Sequence, residues 1–219
     1  MKATEKMKEY YITGMDEVPN TVDPDNFVFV IDNSSSMDEH QFGVEEALNA
    51  YKSKLSSLDE ATAISVARFD FNHECLDSMF TNITRMTTSY SADGGTDLYG
   101  AIVKTAKFSI KTYESLIEKG YDPRMTYIIL SDGRHEHFSS GYSASDAKKE
   151  VEKAAAMGIT MVFVDFGSSN GKIPRELGFQ TVYSCENSSD ALQQVFQAIT
   201  TSCVRQSQSK IVDPENWMW

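Results

Sequence analysis

Asp32, Ser34 and Ser36 stand at alternate positions in the stretch Asn26–Met37, which reads N-F-V-F-V-I-D-N-S-S-S-M. Side chains in alternation point the same way from an extended or gently turning backbone. Their donor atoms are all hard oxygens, which suit Mg²⁺, Mn²⁺ or Ca²⁺ and serve softer metals poorly. One carboxylate and two neutral hydroxyls leave a divalent cation with charge to spare. Such a site needs further protein oxygens, water or an anionic ligand from outside. The plainer role of a Ser-rich loop after a strand is to cap the next helix, and these residues alone leave both roles open.

The element that must position them is the apolar run Phe27–Ile31. A short run rich in β-branched and aromatic residues fits a strand buried on both faces. The polar cluster then lies at the carboxyl end of that strand, where ligands bind in open α/β sheets. Two later stretches have related form. Asp93-Gly94-Gly95-Thr96-Asp97 precedes a helical pattern, and Tyr127-Ile128-Ile129-Leu130-Ser131-Asp132-Gly133 is a second apolar strand ending in a carboxylate.

D-x-S-x-S after a first apolar strand, a Thr in G-G-T-D and a strand ending in S-D-G resemble, in that order, the metal-ion-dependent adhesion site of the von Willebrand factor A domain. The resemblance spans residues 26–203 and places Asp32, Ser34, Ser36, Thr96 and Asp132 at the site positions. It implies that Ser34, Ser36 and Thr96 ligate a cation directly, Mg²⁺ first and Mn²⁺ or Ca²⁺ as alternatives. Asp32 and Asp132 would hold it through hydrogen bonds and water. It implies an open position filled by the Asp or Glu carboxylate of a partner protein, and a binding module rather than an enzyme. The chain departs from the commonest D-x-S-G-S form by carrying Ser35 where Gly is frequent, which puts the loop geometry in question but leaves the ligand set intact.

The balance of charge fits a cation-binding face. A formal net charge of −12 and a pI near 4.7 argue against nucleic acid, whose phosphates want a basic surface, and against anionic lipid. The same field draws divalent cations toward the surface, within the limits of salt screening. No apolar run approaches the ~20 residues of a membrane span, and the N-terminal residues mix Lys and Glu without an apolar segment. The expected location is therefore cytoplasmic. Cys75, Cys185 and Cys203 are scattered and odd in number, which reads as reduced thiols rather than a disulfide framework.

Strand and helix patterns alternate along the chain. A helix is expected over Asp38–Ser57, with Val44, Ala47, Leu48, Tyr51 and Leu55 at helical spacing. A second strand, Ala61–Phe69, and a third, Asn72–Thr81, are joined too tightly for a crossover helix, so the third is expected as an antiparallel edge strand. A helix from Asp97 to about Lys119 carries Leu98, Ile102, Ala106, Ile110, Tyr113 and Ile117 in one stripe, with Asp97 as a possible cap and Gly120 as its terminator. Strand Met125–Ser131, helix Ala144–Met157 ended by Gly158, strand Ile159–Phe166, a helical turn over Pro174–Leu177, strand Thr181–Ser184 and helix Ser188–Cys203 follow. This alternation argues an α/β fold, a doubly wound and mostly parallel six-stranded sheet with helices on both faces. The resemblance supplies the strand order 3-2-1-4-5-6.

Residues 1–25 read as an N-terminal arm and 204–219 as a tail ending in two tryptophans, a composition that asks for packing against the domain or a partner. The loop Gly133–Ser143 holds Arg134, His135, Glu136, His137, Phe138 and Tyr142, and reads as a specificity loop on the metal face. Its His-x-His has no third and fourth ligands at zinc spacing. A competing class is a metal-dependent hydrolase or phosphotransferase acting on a phosphorylated substrate. Against it, Ser34 stands where a second acid of D-x-D is wanted, and neither a P-loop nor a G-x-S-x-G elbow occurs. A vestigial site is a third possibility, opposed by the complete residue set.

Overall fold

The computed structural model describes residues 25–56, 63–69, 74–82, 86, 88–136, 141–167, 171–185, 194, 195, 197–199 and 201. Residues 1–24 of the arm, much of the helix expected over Ser188–Cys203, the whole tail 204–219 and the loop residues 137–140 lie outside this set. Six strands form one sheet: β1 Asp25–Asp32, β2 Ala63–Phe69, β3 Glu74–Asn82, β4 Arg124–Ser131, β5 Thr160–Asp165 and β6 Thr181–Ser184. Their spatial order is β3-β2-β1-β4-β5-β6. β1 pairs in parallel with β2 and β4, β4 with β5 and β5 with β6, while β2 and β3 run antiparallel.

β1 shows why its apolar run belongs at the centre. Its side chains alternate between the two faces of the sheet. Phe27, Phe29 and Ile31 pack with Val44, Leu48 and Tyr51 on one face. Val28 and Val30 join Leu98, Ile102 and Val151 on the other. The first face is covered by α1, Gln41–Leu55, and receives Ile199 and Val195 from the last helical residues. The second is covered by α2, Leu98–Glu118, and α3, Ala144–Ala156. A short helix α4, Lys172–Glu176, lies between β5 and β6. Tyr51 sits edge-on to Phe29 with ring centroids 4.8 Å apart, a geometry that adds specific aromatic attraction to the area buried.

Local signals set the helix ends. Gly120, at φ +86°, follows α2; its N–H bonds to Ile117 O and that of Tyr121 to Leu116 O. These paired bonds form a left-handed C-terminal cap, which glycine enters without strain. Ser143 and Asp146 make a reciprocal capping box at the start of α3, satisfying amide donors that the first helical turn leaves open.

Two expectations change. The helix expected continuously over Asp38–Ser57 is divided: a 3₁₀ segment, Ser35–His40, precedes α1. The tighter winding lets the chain leave Asp32 and still deliver Met37 into the core, where it is fully buried. Ile117 is the other case. It is 47% exposed, and Leu116 occupies the core instead. Leu116 follows Leu98 by 18 residues, which is five turns of ~3.6 residues, so it returns to the same line along the helix. Ile117 stands about 100° further round.

Among the described residues, no helix is long and apolar enough to cross a membrane. Cys185 is a buried free thiol; the side chains of Cys75 and Cys203 lie outside the described set.

Candidate metal centre

Parallel register brings the site together. Ile31 pairs with Leu130 across β1 and β4, and Ser131 with Asp165 across β4 and β5. The carboxyl ends of adjacent strands therefore finish nearly level. This places Asp32, Ser131 and Asp165, all fully buried, in one polar row above the apolar core.

Asp32 is the anchor of that row. Its Oδ1 accepts the Ser34 N–H at 2.9 Å, and its Oδ2 accepts the Ser131 hydroxyl at 2.6 Å. The Tyr90 hydroxyl donates to the Asp32 carbonyl oxygen. Burial pushes the carboxyl up from 3.8 to about 7; hydrogen bonds from Ser131 and Ser34 oppose this, and the Asp132 charge adds to it. Among the described residues, the neighbours acting on Asp32 are thus hydroxyls, an amide and a second acid. A buried carboxylate so placed is short of positive charge, and a cation beside it would supply that charge.

Ser34 is buried and Ser36 half-buried, with their hydroxyl oxygens 3.1 Å apart. The Gly94–Gly95 loop is tied onto this segment. Ser35 N–H donates to Gly94 O at 2.9 Å, and Asp93 N–H donates to Asn33 O. Gly94 holds φ +92°, a left-handed conformation that glycine adopts without strain and that turns its carbonyl toward Ser35. The loop leads to Thr96, which is 3% exposed. Asp97 caps α2 through its side chain, accepting from Gly100 N–H at 3.1 Å.

Asp132 follows Ser131 directly and is 7% exposed. Its Oδ1 accepts Arg134 N–H at 2.9 Å, and the Arg134 Nε lies 3.2 Å from Oδ2. The loop then crosses to the Thr96 side: Glu136 N–H donates to Thr96 O at 2.9 Å, and His135 stacks on Tyr99 with centroids 3.8 Å apart. His40 is buried against Phe166, with ring centroids 5.0 Å apart. Burial holds its imidazole below the ordinary histidine value; the charges of Glu39 and Asp132 act in the opposite direction.

Ser34 thus contacts both Asp32 and Ser36, Thr96 is joined to them through the glycine loop, and Asp132 through Ser131. Three contributors escaped the sequence reading. Ser131 is one: its hydroxyl joins the two aspartate strands by donating to Asp32 and accepting Gly133 N–H at 3.1 Å. Tyr90 and Asp165 are the others. Asp165 accepts Gly167 N–H at 2.9 Å and Gly171 N–H at 2.8 Å, and so shapes the loop beside Asp132. A fully apolar strand ending in Asp, as in V-F-V-D, is the signal that was available for it.

The donors fit a hard divalent cation: hydroxyl oxygens beside a buried carboxylate that has no cationic partner among the described residues. Among the described residues, no group of three or more His, Cys, Asp and Glu side chains is arranged to hold a metal ion. A site here would rest on hydroxyls with only two carboxylates in support. The His135-x-His137 pair is not described as a unit, since residue 137 lies outside the described set.

Solved structures resemble this architecture. The SpaC pilus adhesin of Lactobacillus rhamnosus GG in its open conformation superposes with a TM-score of 0.65 at 12% identity over 87% of this chain. The VWA domain of SpRpn10 gives 0.57 at 10% identity, covering 80% of this chain and 95% of its own. Manganese-loaded TRAP protein of Plasmodium vivax gives 0.50 at 14% identity, covering 80% of this chain and 73% of its own. This chain has a von Willebrand factor A-like fold. At these identities the likeness is one of fold alone. The chain spans 31% of the SpaC adhesin and 65% of the PilB minor pilin of Streptococcus sanguinis. No protein-family model matches the sequence, and no curated protein matches it.

Proposed function

We propose that this chain is a metal-dependent protein-interaction module. Ser34, Ser36 and Thr96 would give hydroxyl oxygens to a divalent cation, Mg²⁺ or Mn²⁺, while Asp32 and Asp132 counter its charge. The observation that carries this reading is the buried Asp32 carboxylate, held by Ser34 N–H and the Ser131 hydroxyl against the Ser34–Ser36 pair. Support for the metal comes also from the manganese-loaded state of the TRAP neighbour, and support for binding from the adhesin neighbour.

The cation would supply a positive point for a carboxylate ligand, an Asp or Glu of the partner. The protein's own part is preorganisation. Asp32 holds the Ser34 backbone through its amide, the Gly94 loop fixes Ser35, and Ser131 keeps the two strand ends in register. With hydroxyls as the direct ligands and both carboxylates one step removed, the cation would stay electrophilic toward an anionic partner group. Specificity would then reside in rim residues such as Arg134 and Glu136. A phosphotransferase that forms an aspartyl-phosphate on Asp32 fits less well, because that carboxylate is fully buried.

The test compares capture from cell extract by the wild type and by Asp32→Ala, each with Mg²⁺ or with EDTA. Calorimetric titration of both proteins with Mg²⁺ runs alongside. A protein retained only by the wild type with Mg²⁺ is the expected result. Equal capture in all four conditions would move the interface away from Asp32. Mg²⁺-dependent turnover of a phosphate ester would favour the hydrolase instead.

A further inference from the structure

We infer that Arg134 is a latch on the metal face: its guanidinium holds Asp132 in the cation-free protein and competes with a divalent cation for that carboxylate. The inference rests on the metal reading above and adds a specificity-determining residue to it.

Residue 134 engages both oxygens of Asp132. Its backbone N–H donates to Oδ1 at 2.9 Å, and its side-chain Nε approaches Oδ2 at 3.2 Å. The two partners differ in setting. The Asp132 side chain is 6% exposed, and that of Arg134 is 74% exposed. The acid is therefore fixed in the protein while the base reaches it from solvent. Gly133 makes this possible: its φ of +75° reverses the chain so that residue 134 turns back onto residue 132.

Residues 135 and 136 are held independently. Glu136 N–H is bonded to Thr96 O, and the His135 ring stacks on Tyr99. A cation arriving beside Asp132 can thus displace the long Arg134 side chain without moving the loop backbone. Two positive charges cannot share one carboxylate at close range without mutual repulsion, so cation binding weakens the ion pair and the ion pair weakens cation binding. Such reciprocity is required of any two coupled equilibria. Once released, the guanidinium stands on the exposed rim, where it adds a positive group next to the carboxylate-binding position.

The experiment measures Mn²⁺ affinity of the full chain by electron paramagnetic resonance, for the wild type and Arg134→Gln, at fixed ionic strength. Circular dichroism checks that the exposed substitution leaves the fold intact. In parallel, the Arg134 Nε–H resonance is followed by NMR during a Mg²⁺ titration. The expected result is Mn²⁺ binding about two- to fivefold tighter in Arg134→Gln, the scale of an exposed ion pair, with the Nε–H resonance moving as Mg²⁺ saturates. Equal or weaker Mn²⁺ binding by the variant, or an Nε–H resonance that Mg²⁺ leaves in place, overturns the latch while the metal site stands. Absence of Mn²⁺ binding by both proteins overturns the metal reading, and the latch with it.

Discussion

Replacing Asp32 by asparagine tests the energetic core of the site. The carboxyl is buried and raised from 3.8 to about 7. A folded-state value above the unfolded one means that the native protein prefers the protonated form. The associated stability is complete below pH 3.8 and is lost as pH rises through about 7. The gap of about three pH units, at roughly 1.4 kcal/mol each, corresponds to about 4 kcal/mol. Asparagine keeps the Ser34 N–H bond to its oxygen but offers Ser131 a donor in place of an acceptor. Re-pairing that hydroxyl costs about 1 kcal/mol. In EDTA at pH 8, Asp32→Asn should therefore be more stable than the wild type by about 2–3 kcal/mol. At pH 4 it should be equal or slightly less stable.

Mg²⁺ should close the gap between the two proteins. At a hundredfold excess over the dissociation constant, binding to the native state alone adds about 2.7 kcal/mol to the wild type, and the variant should gain nothing. The assay is urea unfolding of both proteins from pH 4 to 8, with and without Mg²⁺. Taking the difference between proteins removes the pH dependence that other groups contribute equally. A variant less stable than the wild type in EDTA at pH 8, or one stabilised equally by Mg²⁺, would refute the reasoning.

Two other substitutions probe the scaffold. Gly167→Ala would place a Cβ 2.1 Å from the Asp132 carbonyl oxygen, so the loop must shift; we expect a loss of about 1–3 kcal/mol in urea unfolding and weaker Mg²⁺ binding by calorimetry. Ser143→Ala removes the capping box of α3 and should cost about 1 kcal/mol, with Mg²⁺ affinity unchanged; a large change in affinity would show that α3 is coupled to the site.

Much of this architecture was legible because its signals are local. The run Phe27–Ile31 reads as a doubly buried strand, and each of its side chains is buried against one of the two helical layers. Gly120 and Gly158 mark helix ends because only a residue tolerant of positive φ closes the last turn cheaply. Asp97 caps α2 as its type and place imply. Errors arose where a local rule met a longer-range demand. The stripe through Ile117 drifts from the true helical repeat, and the core, not the list of apolar residues, chose Leu116.

By itself the sequence determined the strand–helix alternation, the alternate spacing of Asp32, Ser34 and Ser36, and the hard-oxygen character of the donors. These depend on residue type and on periods of two and 3.6, which the chain carries along its own length. Only the tertiary structure decided that Ser131, 99 positions away, donates to Asp32, that Gly94 closes on Ser35, and that Arg134 folds back on Asp132. It also decided how deeply Asp32 is buried, and hence the energetic deficit of its charge. Those contacts follow from the register of parallel strands and the geometry of the loops that leave them. No one-dimensional pattern encodes them, because the partners meet only after the sheet has closed over its core.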